Sequence, residues 1–569
     1  MNTGPDARYV GSERCAECHA DQHASYLMTA HSRSMSRVDP AGQPPDATLD
    51  HAASGRRYEV LRSGGALHHR ESLVLADGGE LELADYPLSY LVGSGRFART
   101  YLVEDAGFLV ESPLTWYASL QQWAMSPGYD RAEHRSFQRT IGDDCLYCHA
   151  GAVERIQGND QRLNMVETAI SCERCHGPGS LHVARWAQGT DEPGPAGDPT
   201  IVNPRRLPRE LAEAVCHQCH LTSEVQVAVR GRRASDFRPG LRWQDFAIDY
   251  GHSAAPSEMT VVGHVEQMRQ SRCYQASGSL TCLTCHPAHA PVAAAQRASH
   301  FRATCVQCHV DPSCSLPLLE RTSRNQNDCA ACHMPQTPTD VPHVAFTHHR
   351  VGIHEPQSSK PKVAATGFLP LAPVLDVSLL SELDRQYAQG LANLQYYRDH
   401  QQQPGAVRYL KEARPLVEAT LAAGLVDGRL ALAKAELAGA AGDLPLAEHW
   451  ARLTLAEAEL STTDRAAALR LLAAFDLQDD RLPEAKDSLE QLTALRRDPR
   501  DWLLLGVCQQ RLGNAAAAVT ALERVLQIDP APPETYELLE PLYRAQGLAE
   551  RAAWCRQRAG LIRQTQRAE

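Results

Sequence analysis

One short pattern, C-x-x-C-H, occurs seven times in this 569-residue chain and constrains its fold more than any other feature. The units are Cys15, Cys18 and His19; Cys145, Cys148 and His149; Cys172, Cys175 and His176; Cys216, Cys219 and His220; Cys282, Cys285 and His286; Cys305, Cys308 and His309; and Cys329, Cys332 and His333. Two thiols on one tight turn can each bond a vinyl group along one edge of a haem. The histidine that follows is then held beneath the ring, where its imidazole binds the iron. Structural zinc sites also use C-x-x-C pairs, but they have no need of histidine at the next position. With 25 histidines in 569 residues, chance would place one after all seven pairs roughly once in 10⁹–10¹⁰ trials. The pattern predicts seven covalently attached haem c groups, with these seven histidines as proximal ligands.

Each iron then needs a ligand on its other face. Sixteen further histidines lie at or before position 354. The candidates for the distal positions are His31, His134, His182, His264, His289, His300, His343, His348, His349 and His354. His23, His51, His68, His69, His217 and His252 are weaker ones. Two imidazoles fill an iron and suit it to electron transfer rather than substrate binding. All five lysines lie at or beyond Lys360, so no iron in the haem-bearing region has a lysine ligand from that region.

A chain of this length holds two or more domains. No run of about eighteen apolar residues occurs, so no helical membrane span is expected. No secretory signal is visible before the first motif. Because haem is attached outside the bacterial cytoplasm, the chain is expected to be periplasmic or extracellular, its export signal already removed. The formal charge of −11, with no basic cluster, argues against a nucleic-acid partner. An acidic surface instead favours basic redox partners.

Three regions are expected. Residues 1–360 form a heptahaem cytochrome domain with little regular structure. Within it, about 55–115, hairpin signals such as LADGGE and EDAG separate β-rich stretches, a small antiparallel insertion. Around residue 360 the stretch EPQSSKPKVAATGFLPLAP is Pro- and Ser-rich, and residues 361–376 read as a linker. Residues 377–569 are Ala- and Leu-rich with helical periodicity, an all-α solenoid expected to fold without haem. Trp502, Leu505, Gly506, Gly513, Ala518, Leu522 and Pro530 match the tetratricopeptide spacing. Tyr536, Leu539, Tyr543, Gly547, Ala552 and Ala559 repeat it 34 residues on. Such repeats commonly bind a partner on the concave face. The fold class is thus mostly α, with that small β insertion. Cys508 and Cys555 read as buried small apolar residues. Cys273 and Cys314, the spare cysteines of the exported region, are expected to form a disulfide.

YVGSERCAECH at the start, CERCHGPGSLH at 172–182 and TCLTCHPAH at 281–289 resemble multihaem cytochromes. The superfamily they are similar to is that of the nitrifier tetrahaem cytochrome and octahaem hydroxylamine oxidoreductase, in particular its members with a tetratricopeptide tail. The resemblance implies closely packed haems, mostly with two histidine ligands, and it singles out His182 and His289 as ligands. The chain departs from the octahaem enzymes in having seven motifs and no C-x-x-C-K site. The first functional reading is an electron-carrying cytochrome whose repeats dock a redox partner, with no catalytic residue. A second is an oxidoreductase with one open haem acting on hydroxylamine, nitrite or sulfite. A third is a homo-oligomeric conducting filament.

Overall fold

The computed structural model describes residues 2–189, 194, 197–252, 263–310, 313–336, 347–354 and 368–568. The chain divides into two compact units, each discontinuous in sequence. The first comprises Met1–Ser34, Tyr147–Ala152 and Glu167–Ala423; the second comprises Met35–Leu146, Val153–Val166 and Gly424–Glu569.

In the second unit the β-rich part is larger than the expected 55–115. Its strands are β1 (Met35–Arg37), β2 (Ala47–His51), β3 (Arg56–Ser63), β4 (Ala66–Val74), β5 (Glu80–Pro87), β6 (Tyr90–Val92), β7 (Ala98–Asp105), β8 (Phe108–Tyr117), β9 (Gln122–Met125) and β10 (Thr140–Ile141). β2–β3–β4–β5 form one antiparallel meander. β1–β6–β7–β8–β10 form a second sheet, with β9 also on β8. Tight turns at Gly64–Gly65 and Ala106–Gly107, all with positive φ, make the hairpins. The meander and second sheet bury one core of Tyr58, Val60, Leu67, Tyr101, Leu114 and Trp123.

The same unit carries four antiparallel helix pairs: Gly428–Ala440 with Leu444–Leu455, Thr462–Gln478 with Leu482–Leu495, Pro499–Arg511 with Ala515–Ile528, and Pro533–Ala545 with Ala549–Ala568. Local chemistry sets their ends. Asp427 and Ser461 accept backbone N–H groups of the first turns of their helices. Asp498 caps the helix that Pro499 opens. Gly513 and Gly547, at φ 80° and 76°, close two of the intervening turns. Cys508 and Cys555 are fully buried between helices, as expected for small apolar side chains.

These helices are not sealed off from the strands. Leu81 is part of the core formed by Leu522, Tyr536, Leu539 and Cys555, with Leu73 and Leu75 packed against it. Arg497 is 3% exposed. Its Nε donates to Asp105 at 2.5 Å and its Nη1 to the Phe137 carbonyl at 2.7 Å. The expected boundaries at 360 and 377 therefore differ from the observed partition, because shared burial groups the strands with the repeats.

The first unit is built of short helices and loops around one small sheet. Val225–Ala228, Ala247–His252 and Leu371–Pro373 pair antiparallel in that order. The end of the expected linker is thus a strand. The helix pair Glu382–Asp399 and Val407–Ala422 belongs here, with Tyr396 and Tyr409 against His252. Trp243, Phe237, Phe246 and Leu375 form an apolar cluster in this unit. Among the described residues no helix is long and apolar enough to cross a membrane.

Candidate haem-binding centres

The C-x-x-C-H units lie on single helical turns. The His19 N–H donates to the Cys15 carbonyl at 2.9 Å, and the same bond closes the turns of His176 (3.0 Å), His286 (3.0 Å) and His309 (2.9 Å). Residues i, i+3 and i+4 then share one face, so both thiols and the imidazole point the same way. This is the arrangement a covalent haem requires. Units distant in sequence also approach one another: the thiols of Cys15 and Cys172 are close enough to shift each other's ionisation, as are those of Cys148 and Cys219 and of Cys216 and Cys282. Cys305 and Cys329 interact likewise; burial chiefly, with a contribution from Cys329, pushes the Cys305 thiol up to about 11. Among the described residues no three His, Cys, Asp or Glu side chains gather into a site for a bare metal ion.

Two imidazoles on opposite faces of one iron, each nitrogen about 2 Å from the metal, place their ring centroids roughly 6 Å apart at any angle between the planes. Four motif histidines meet a second histidine at that spacing. His19 and His182 are 6.1 Å apart with planes 14° from parallel. His176 and His289 are 5.8 Å apart at 18°. His220 and His31 are 6.0 Å apart at 75°, and His286 and His349 are 6.2 Å apart at 34°. Burial, reinforced by neighbouring histidines, holds His220 and His349 down to about 3, and burial lowers His31, His176 and His286 as well. A neutral imidazole is the form that binds a metal. The donor set and its spacing fit haem.

Outward-facing nitrogens are engaged too. His176 Nδ1 donates to the Val202 carbonyl at 2.8 Å, His349 Nδ1 to the Thr347 carbonyl at 2.8 Å, and His333 Nδ1 to the Gly352 carbonyl at 2.9 Å. Such bonds leave Nε2 pointing to the metal. His182 Nδ1 instead meets the Asp198 carboxylate at 2.8 Å. Burial raises the pKa of Asp198, but hydrogen bonds from Thr200, Trp186 and His182 outweigh it and hold the carboxyl well below the usual range.

The His19–His182 pair is built by a set of contacts that sequence reading missed. Glu173 is 3% exposed. Its carboxylate accepts the backbone N–H groups of Val10 (3.0 Å), Gly11 (2.8 Å) and Gly179 (2.7 Å). Arg8 N donates to Ser180 Oγ at 2.9 Å and Ser180 N to the Arg8 carbonyl at 3.1 Å. The segment before the first motif is thereby laced to the start of the helix Ser180–Ala187 that presents His182. Asn2, fully buried, adds donors to the His176 and Pro178 carbonyls. The one available signal was a carboxylate lodged inside the C-E-R-C spacer.

Other candidates lie elsewhere. His134 is in the β-rich part of the second unit, its Nε2 on Tyr58 Oη at 2.9 Å and its ring beside His51 and Tyr129. The structure brings it to no motif histidine. Tertiary burial in the sheet, invisible to spacing, takes it. His300 Nε2 donates to the Cys285 carbonyl at 3.1 Å. His264 stands 4.4 Å from His349 and 5.3 Å from His220, closer than two ligands of one iron. His348 and His354 face each other at 5.0 Å. His343 lies outside the described residues. The expected Cys273–Cys314 bridge is absent: both cysteines are free, and Cys273 lies near Cys285. The spacing of two spare cysteines carries no information on whether their α-carbons meet.

The profile of a family described as "Cytochrome c554 and c-prime" matches residues 14–58 and 116–177. Those stretches carry the first three C-x-x-C-H motifs, at Cys15–His19, Cys145–His149 and Cys172–His176. No curated protein matches it. Solved structures similar to it include MamA from AMB-1, 17% identical over 31% of this chain and 90% of that one, with a TM-score of 0.27. MamA from MSR-1 is 18% identical over 32% and 99%, with a TM-score of 0.26.

Proposed function

We propose that this protein is an exported heptahaem cytochrome that carries electrons, in the superfamily of the nitrifier tetrahaem cytochrome and hydroxylamine oxidoreductase, and that its repeats dock a redox partner. The observation that carries the reading is the set of four histidine pairs at 5.8–6.2 Å. Haem, once attached, supplies a one-electron Fe(III)/Fe(II) couple. The residues do the rest. Cysteine pairs fix each macrocycle covalently to one helical turn. Paired imidazoles would hold the iron between them and would leave no place on it for a substrate. Side chains of one centre arise beside the motif of another: His182 follows the motif of Cys172–His176, yet it pairs with His19. His289 follows the motif of Cys282–His286 and pairs with His176. This interlocking fixes the distances over which electrons pass.

One observation favours a second reading, an oxidoreductase with one open iron acting on a small nitrogen or sulfur compound. His309 is exposed, and among the described residues no second histidine ring faces it. Carbon monoxide separates the two readings, because it binds an open ferrous iron and not one held by two imidazoles. The fully reduced holoprotein is expected to bind none. Uptake near one equivalent per chain, with a high-spin signal in the oxidised protein, would establish the second reading instead.

A further inference from the structure

We propose that Asp198 is a positioning residue that lowers the potential of one haem centre by taking the outward hydrogen bond of His182. The inference rests on His19 and His182 being the two ligands of one iron. Their rings stand 6.1 Å apart and nearly parallel. His182 Nδ1 meets Asp198 Oδ2 at 2.8 Å, so Nε2 is the nitrogen left for the metal.

The carboxylate is built in rather than incidental. Its side chain is 7% exposed. Trp186 Nε1 donates to Oδ2 at 2.9 Å, the Thr200 backbone N–H donates to Oδ1 at 2.7 Å, and the Thr200 hydroxyl donates to the same Oδ1. Arg185 Nε stands 3.9 Å from Oδ1 and offsets part of the charge. Both oxygens are therefore held, and the one shared with Trp186 is aimed at the imidazole. The other outward bonds found in the four pairs end on neutral backbone carbonyls, those of Val202 and Thr347. Among the described residues, no other histidine of these pairs has a carboxylate on its ring.

An anionic acceptor draws the Nδ1 proton and makes Nε2 a stronger donor. A stronger donor stabilises ferric over ferrous iron, so the potential of that centre falls. No bond is made or broken. The electron comes from the redox partner and the proton stays on Nδ1.

The test uses the full holoprotein and potentiometric titration followed by optical and electron paramagnetic resonance spectra. Asp198→Asn removes the charge and keeps the shape. One component is expected to shift about tenfold in its Fe(II)/Fe(III) ratio at fixed potential, an upward move of about 59 mV for one electron. The remaining components stay in place. Trp186→Phe removes a neutral donor from the same oxygen and leaves more charge for His182, so the same component should move down. A purely structural role gives no such opposition of sign. His182→Ala tests the underlying pair separately and should turn one low-spin haem high-spin. If it does not, the pairing falls. If it does and Asp198→Asn leaves every midpoint unmoved, the role of Asp198 is overturned. Should Asp198→Asn lose haem by mass, Trp186→Phe and Thr200→Ala carry the test, and the absence of a downward shift in both overturns it.

Discussion

His69 is fully buried in β4, its Nδ1 2.6 Å from Ser112 Oγ and its ring edge-on to Tyr101 and Trp123. Nε2 has no hydrogen-bond partner. Burial pushes its pKa down to about 3, so the folded protein keeps it neutral. The unfolded chain takes up a proton below about 6.5 that the folded chain refuses. Stability is thus whole above about pH 6.5 and falls as pH drops toward 3, by roughly 1.4 kcal/mol per pH unit for this group. Urea unfolding of the holoprotein at pH 7 and pH 5 should show this loss, and His69→Leu should reduce the pH slope by about one proton. Equal slopes in the two proteins would refute the assignment. The sequence offered His69 only as a weak ligand candidate, because alternation in a strand says which face a residue shares but not whether that face meets haem or a sheet. Asp198 and Glu173 were illegible for a related reason: their partners lie across loops with no periodic pattern.

The helix pairs were legible at the scale of elements, since the 34-residue phase of Trp502, Gly506 and Ala518 with Tyr536 and Ala552 is a property of neighbours in sequence. Gly506 shows why the pattern holds. A Cβ at that position would lie 2.8 Å from Cγ and Cδ2 of Leu522, on the facing helix. Alanine would gain up to about 1 kcal/mol of helix propensity against that clash. Valine has no such compensation, and Gly506→Val should cost roughly 1–3 kcal/mol by overpacking. Thermal unfolding followed by circular dichroism measures it; an unchanged midpoint would mean that the helices separate freely. The strands were only half legible. Hairpin signals marked the middle of the β-rich part, but β1 and β10 are two or three residues long and form only because longer strands offer them an edge. The pair 382–422 resembled the later helices in composition, and contacts far apart in sequence, such as Tyr396 and Tyr409 with His252 and Arg230 with Asp384, assign it to the other unit.

For the molecule as a whole, the seven motifs were fully readable, because each completes its chemistry within five residues. Mass spectrometry of the intact protein should show seven haem additions to the 62.4 kDa polypeptide, and six or fewer in a fully matured sample would contradict the count. The partition into units was not readable, since it is written in contacts such as Arg497 with Asp105, whose partners are nearly four hundred residues apart (|i−j| = 392). That arrangement carries a kinetic consequence. The chain is made from its N-terminus, so β1 to β10 exist long before Gly424–Glu569, the segment that completes their core. A strand-rich piece waiting for a late partner nucleates slowly, because distant loops must close before contact rewards them. Through that interval the strands of the second unit wait without the helices that Leu73, Leu75 and Leu81 pack against. Discontinuity thus makes closure of the second unit a late step in folding.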